Sequence, residues 1–138
     1  MKVENYKLED DLYLACQKAS SFPEGIQDAI ETLHKKMKQE RNFQLYGISR
    51  PEKGKGIVYY SCAKVKSKND AEIYGLEFIT IPAGIYYSIE IENFHQDLSS
   101  IGKAFEKILS LKGIDSEGYC IESYHENNVR CMVRTLEN

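Results

Sequence analysis

The chain has 138 residues, enough for one domain with a sizeable core but too few for a sensor joined to a separate DNA-binding head. Its 18 Lys and Arg against 21 Asp and Glu give a formal charge of -3, so no basic surplus exists to neutralise a run of phosphates, and nucleic acid is not an expected direct partner. No apolar run is long enough to span a bilayer, and the opening MKVENYKLEDD lacks the basic-then-apolar layout of a signal peptide, so the expected address is the cytoplasm, with no membrane contact.

Residues 11–17, DLYLACQ, read as a short strand. Ser21, Pro23 and Glu24 then supply a cap, a first-turn proline and a capping-box acid, so a helix is expected to follow. Ile26, Ile30, Leu33 and Met37 fall on one apolar stripe of that helix, with lysines on the remainder. NFQLYGIS and IVYYSCAKVK, separated by the breaker stretch RPEKGKG, read as a hairpin. After a loop, SKNDAEIYG, the extended segments GLEFITIP and GIYYSIEIE follow, broken at Pro82 and Gly84. Leu98, Ile101, Phe105, Ile108 and Leu111 form a second helical stripe, with Asp97 as cap and Gly113 as stop. The last segment, EGYCIESYHENNVRCMVRTL, reads as a hairpin turning at Asn127-Asn128.

Strand, helix and hairpin thus occur twice, in half-repeats of about 1–68 and 69–138 within a single domain. The expected fold class is α+β, two pseudo-symmetric halves each with antiparallel strands and a helix, and a ligand cleft at their seam.

The four cysteines lie scattered in apolar segments without a C-x-x-C and are expected to be free buried thiols. His34 lies among lysines and His95 in a polar loop, and His125 falls on the opposite strand face from Cys120 and Cys131, so neither metal nor cofactor is expected. Ten Tyr and five Phe, with no Trp, make the chain rich in side chains that join an apolar ring to a polar tip. Turning the last hairpin at Asn127-Asn128 pairs Tyr124 with Cys131, Glu122 with Val133 and Cys120 with Thr135. Glu122 then sits among Cys, Val and Tyr, while Arg130 and Arg134 point to the other face. A carboxylate so placed needs a partner from outside the hairpin, and a ligand is one candidate. An ordinary hydrated glutamate on an exposed face is the other.

The segment Ile81-Pro82-Ala83-Gly84-Ile85-Tyr86, the segment Ile121-Glu122-Ser123-Tyr124, and Tyr60 to Val65 together resemble the GyrI-like family, the effector-binding domain of bacterial transcription regulators. The resemblance covers most of the chain and implies the duplicated strand-helix-hairpin (SHS2-type) module. It also implies that Glu122 lies in the cleft facing lipophilic cations, with Tyr86 near it. Delocalised organic cations gain ~0.5–2 kcal/mol from each ring face they meet, which suits tyrosine walls around one carboxylate. The expected ligand-binding set is therefore Glu122 with Tyr59, Tyr60, Tyr86, Tyr87, Tyr124, Tyr119 and Phe22. Adjacent residues of a strand face opposite ways, so Tyr59 and Tyr60 compete for the cleft, as do Tyr86 and Tyr87. For Phe22, Tyr119 and Phe43 packing in the core is the favoured alternative.

The function these features imply is stand-alone, multidrug-type capture of lipophilic, aromatic, cationic compounds, in a sensor or regulation-associated protein. Two alternatives stay open. One is a hydrolase of reactive electrophiles with Glu122 as base and Tyr124 or Tyr86 as acid. The other is a gyrase-binding inhibitor protein.

Overall fold

A computed structural model describes residues 1–40 and 42–136. The strands are β1 (Glu4–Leu8), β2 (Leu12–Lys18), β3 (Leu45–Glu52), β4 (Gly56–Lys64), β5 (Glu77–Ile81), β6 (Gly84–Ile91), β7 (Cys120–His125) and β8 (Asn128–Arg134). The helices are α1 (Ile26–Lys36), α2 (Lys68–Ile73) and α3 (Ser99–Leu109).

All eight strands join one sheet in the order β1-β6-β8-β7-β3-β4-β2-β5, and every pairing is antiparallel. The order is symmetric about the β7–β3 junction, where Tyr46 to Ser49 run against Ser123 to Cys120. The α+β class and the repeated strand-helix-hairpin order expected from the sequence are therefore present, as β2-α1-β3-β4 and β6-α3-β7-β8. The outermost strands cross over. β1, which leads into the first repeat, pairs with β6 of the second, whereas β5, which leads into the second, pairs with β2 of the first. Each half thus completes the other's sheet edge.

The sheet has two covered faces, and this decides where every side chain goes. On one face Leu14, Cys16, Ile48, Tyr60, Cys62, Tyr86, Ile121 and Met132 form a core inside the curl of the sheet, with Tyr6, Leu8 and Ile79 of the edge strands packed on it. On the other face lie the helices. α1 packs over β4 and β2 through Ala29, Leu33 and the following Met37, and α3 packs over β8 and β6 through Ala104 and Ile108. Alanines at the contacts, Ala15 and Ala63 in the sheet and Ala29 and Ala104 in the helices, let the backbones approach closely. β3 and β7 have no extensive contact with either helix, and a groove opens at one end of their seam, beside Leu45 and Tyr124.

Several expected boundaries shift. α1 starts at Ile26 after a turn closed by the Gly25 N–H donating to the Ser21 carbonyl, so Ser21 provides no side-chain cap. Of its predicted stripe, Leu33 and Met37 are buried, while Ile26 and Ile30 are only partly covered and face the groove. The loop SKNDAEIYG contains α2, capped by the Ser67 hydroxyl accepting from the Asp70 N–H at 3.4 Å. The cap position of α3 is Leu98, which makes no side-chain cap, rather than the expected Asp97; Asp97 lies one residue earlier and accepts from the Ser99 N–H at 3.1 Å.

The last hairpin turns at Glu126-Asn127, with His125 opposite Asn128, rather than at Asn127-Asn128. Asn128 is drawn into the strand because its side-chain oxygen accepts from the Asn93 N–H at 3.3 Å, and Glu126 takes the left-handed conformation instead, at φ 59°. Glu122 consequently opposes Cys131, not Val133, and Tyr124 opposes Val129. The register moves by two residues, so each side chain keeps its face. Among the described residues no helix is long and apolar enough to cross a membrane.

Candidate functional site

Where β3 and β7 meet, Gly47 lies directly opposite Glu122. A Cβ built on Gly47 would stand 2.2 Å from the Tyr59 hydroxyl and 3.0 Å from Glu122 Oε1, so both groups crowd the space above this glycine. A glycine inside a strand often marks such a close approach. Tyr59 reaches the place from β4, is 3% exposed, and is held by Ala19, Ala29 and Ile26 at the N-terminal end of α1. The Phe22 ring stacks on Tyr59 with centroids 6.0 Å apart and is itself 41% exposed.

Tyr124, two residues beyond Glu122 on the same strand face, donates its hydroxyl to Glu122 Oε1. The Phe94 ring meets Tyr124 edge-on at 5.2 Å. Its place is fixed by the β7–β8 turn, whose Asn127 carbonyl accepts from the Phe94 N–H at 3.2 Å. Tyr124 also lines the open groove, together with Ile26 and Ile30 of α1, Phe43 and Leu45, and Phe94 and Leu98 before α3. The groove has a volume of about 860 Å³. Glu122 does not line it but is bonded to a residue that does.

The electrostatics follow from this packing. Dense surroundings desolvate the Glu122 carboxyl and raise its pKa above the usual carboxylate value, and the Tyr124 hydrogen bond offsets part of the rise. Some of its surface nonetheless stays accessible. Among the described residues no Lys, Arg or His forms an ion pair with it. The arginines of the hairpin are committed elsewhere: Arg130 to Glu90 at 3.3 Å and Arg134 to Asp115 at 3.4 Å, both on the other face. Burial first, and the Glu122 charge second, push the Tyr59, Tyr124 and Cys131 protons to higher affinity, so both phenols remain donors at any ordinary pH. Cys120 is likewise pushed up to about 11.

A carboxyl with a raised folded-state pKa binds its proton more tightly in the folded than in the unfolded chain. That part of the stability is full at pH below the unfolded value and is lost as pH rises through the folded one. Glu122→Gln carries no such charge at any pH and still offers an acceptor to Tyr124. Its melting temperature is expected to match the parent near about pH 4 and to exceed it by roughly 3 °C or more near about pH 8, measured by thermal scans across that range. A constant offset across the range would mean that Glu122 ionises without penalty.

Of the predicted site residues, Glu122, Tyr59, Tyr124 and Phe22 come together on the helix face. Tyr60, Tyr86 and Tyr119 lie on or against the opposite core. There Tyr86 donates to the Pro82 carbonyl at 2.6 Å, and Tyr119 carries the Arg50 guanidinium over its ring at 4.1 Å. Tyr86 and Tyr119 border a separate recess of about 150 Å³ whose wall includes Arg50, Arg134, Asp115 and Glu117. Burial leads in raising the Tyr60 and Tyr86 pKa values, each to about 12. Tyr87 is on the helix face, but its hydroxyl donates to the Lys112 carbonyl at 3.0 Å, away from Glu122. Tyr87→Phe is expected to cost about 0.5–1 kcal/mol in urea unfolding and to leave ligand affinity within about twofold.

Sequence reasoning did not find Gly47 or Phe94. The glycine interrupting NFQLYGIS was the available signal for the first, and nothing in the polar stretch around Phe94 marked the second. His125 pairs with Glu90 at 2.8 Å, and no metal-sized group of His, Cys, Asp and Glu gathers among the described residues.

The sequence profile of the family described as "Cass2: Integron-associated effector binding protein" matches residues 6–135. The chain belongs to this family. The GyrI-like, effector-binding resemblance read from the sequence is thereby borne out. Comparison with curated proteins finds no match. Among solved structures, SAV2435 bound to tetraphenylphosphonium is similar at TM-score 0.64 and 13% identity, over 98% of this chain and 94% of that one. The EcmrR C-terminal domain is similar at TM-score 0.65 and 12% identity, over 99% and 98%. A hydrolase from Listeria innocua follows at TM-score 0.54 and 11% identity, over 97% and 91%. At these identities the likeness establishes the shared fold, and the family match establishes effector binding as its setting.

Proposed function

We propose that this effector-binding chain captures lipophilic, aromatic organic cations at the β3–β7 seam, as a sensor or regulation-associated protein. One observation carries the reading: the desolvated Glu122 carboxyl is bonded to a tyrosine hydroxyl and has no cationic partner among the described residues. A cation that brings its own apolar surface lets the carboxylate ionise without returning it to water. Tyr59, Tyr124, Phe22 and Phe94 supply ring faces around it, and the groove beyond Tyr124 has room for bulky substituents of several shapes. The recess bordered by Tyr86 and Tyr119 suits such a ligand less, since Arg50 and Arg134 stand in its wall.

Tetraphenylphosphonium, the ligand of one structural neighbour, is a suitable probe. Calorimetric titration is expected to show saturable one-to-one binding, with the cation preferred over neutral triphenylphosphine oxide by about tenfold or more. Equal affinities would rule out charge matching.

The raised proton affinity of Glu122 and the hydroxyl beside it also suit a base and acid pair, which keeps the hydrolase reading open. Incubation with an epoxide separates the two. More than one diol per protein, lost in Glu122→Gln, indicates catalysis, and none indicates capture alone.

A further inference from the structure

Cys16 and Cys62 occupy facing positions of β2 and β4, inside the curl of the sheet and away from the Glu122 site. Their sulfur atoms are 2.7 Å apart, with the Cys62 thiol donating to Cys16. The ladder explains the approach. Ala19 N–H donates to the Tyr59 carbonyl and Val65 N–H to the Tyr13 carbonyl, which fixes residues 13, 15, 17 and 19 as the hydrogen-bonded positions of β2. Cys16 and Cys62 therefore form a non-hydrogen-bonded pair, the kind in which facing Cα atoms come within roughly 4.5 Å. That spacing lies inside the range a disulfide bridges without moving the backbone.

We propose that Cys16 and Cys62 form a reversible cross-strand disulfide that locks the first half of the domain. The oxidant is a small disulfide such as oxidised glutathione. One cysteine thiolate attacks it and releases a glutathione thiolate, leaving a mixed disulfide. The second cysteine then displaces the other glutathione, so the chain loses two electrons and two protons and two glutathione thiols form. Both cysteines are buried, at 1% and 0% exposure, and burial pushes the Cys62 thiol well up, so the exchange proceeds while this half is open, as it is during folding. Once packed, the bond exchanges with reductant only when this half opens again, so reduction is slow but complete. It ties β2 to the strand that carries Tyr59 and encloses α1 and β3 in one loop, which restricts the unfolded chain. The other two cysteines do not compete: Cys120 faces Val133 and Cys131 faces Glu122, so they are diagonal neighbours.

The test refolds the reduced, urea-unfolded full chain in a glutathione redox buffer, then alkylates free thiols and maps peptides by mass spectrometry. The expected product has lost about 2 Da through one disulfide joining Cys16 to Cys62, melts about 10 °C higher than the reduced chain, and returns to the reduced midpoint with dithiothreitol. The Cys120→Ala/Cys131→Ala double variant, which leaves Cys16 and Cys62 in place, keeps the whole shift relative to its own reduced form. Retention of all four free thiols, a disulfide that maps elsewhere, or a Cys16–Cys62 bond that leaves the midpoint unchanged or lowers it would each overturn the proposal.

Discussion

Glu122→Gln is expected to weaken tetraphenylphosphonium binding by about 10- to 100-fold and to change the affinity for a neutral triaryl analogue by less than about threefold. The size follows from Coulomb attraction in partly screened surroundings: unit charges roughly 5 Å apart at an effective dielectric of about 20 attract by about 3 kcal/mol, and residual solvent contact lowers that figure. The substitution keeps the shape of the side chain and an acceptor for the Tyr124 hydroxyl, so the loss reports charge rather than packing. The two ligands respond differently because the neutral one gains nothing from the ionised form, whose desolvation penalty the variant also removes. The parent should reproduce the variant's weakness when pH falls through the raised Glu122 pKa, because the proton and the cation compete for one carboxylate. In Glu122→Gln the affinity should stay flat over the same range. Fluorescence or calorimetric titrations at several pH values provide the readout.

Gly47→Ala is expected to cost about 2–3 kcal/mol of stability in urea unfolding and to abolish cation binding at concentrations that saturate the parent. Its added methyl group would collide with the Tyr59 hydroxyl at 2.2 Å and with Tyr59 Cζ at 2.9 Å. Tyr59 has little freedom to retreat, since it is pinned between Phe22 and the N-terminal end of α1. Removing the clashing oxygen with Tyr59→Phe in the Gly47→Ala background should recover about half of the loss, a coupling that two independent sites would not show. Simple addition of the two effects would mean that the close approach is not what makes glycine necessary there.

The parts of the fold that were legible in the sequence are those with a strong period. α1 and α3 announce themselves because each has one apolar side and one wet side, and both hairpins because apolar runs flank a polar turn. β1 does not, because Glu4–Leu8 is an edge strand of mixed polarity whose partner, Gly84–Ser88, lies far along the chain. α2 is not legible either, since six residues with only Ala71 buried carry no stripe. The tyrosine doublets remained undecided for a physical reason. Helices cover one face of this sheet and the curl encloses the other, so Tyr59 and Tyr60, or Tyr86 and Tyr87, each find apolar surroundings whichever way they point. Alternation specifies a face only when one side is wet. The placement of Glu122 was readable because parity along one hairpin suffices for it, and the two-residue slip in the assumed turn left that parity intact.

The most direct test of cation capture is a structure of the chain soaked or co-crystallised with tetraphenylphosphonium. The phosphorus is expected within about 6 Å of the Glu122 carboxylate, the span over which ring and charge contacts act, with phenyl groups against Tyr59 and Tyr124 and extending into the groove beside Ile26 and Ile30. A cation seated instead among Tyr60, Tyr86 and Tyr119, with the Glu122 seam left to solvent, would contradict it.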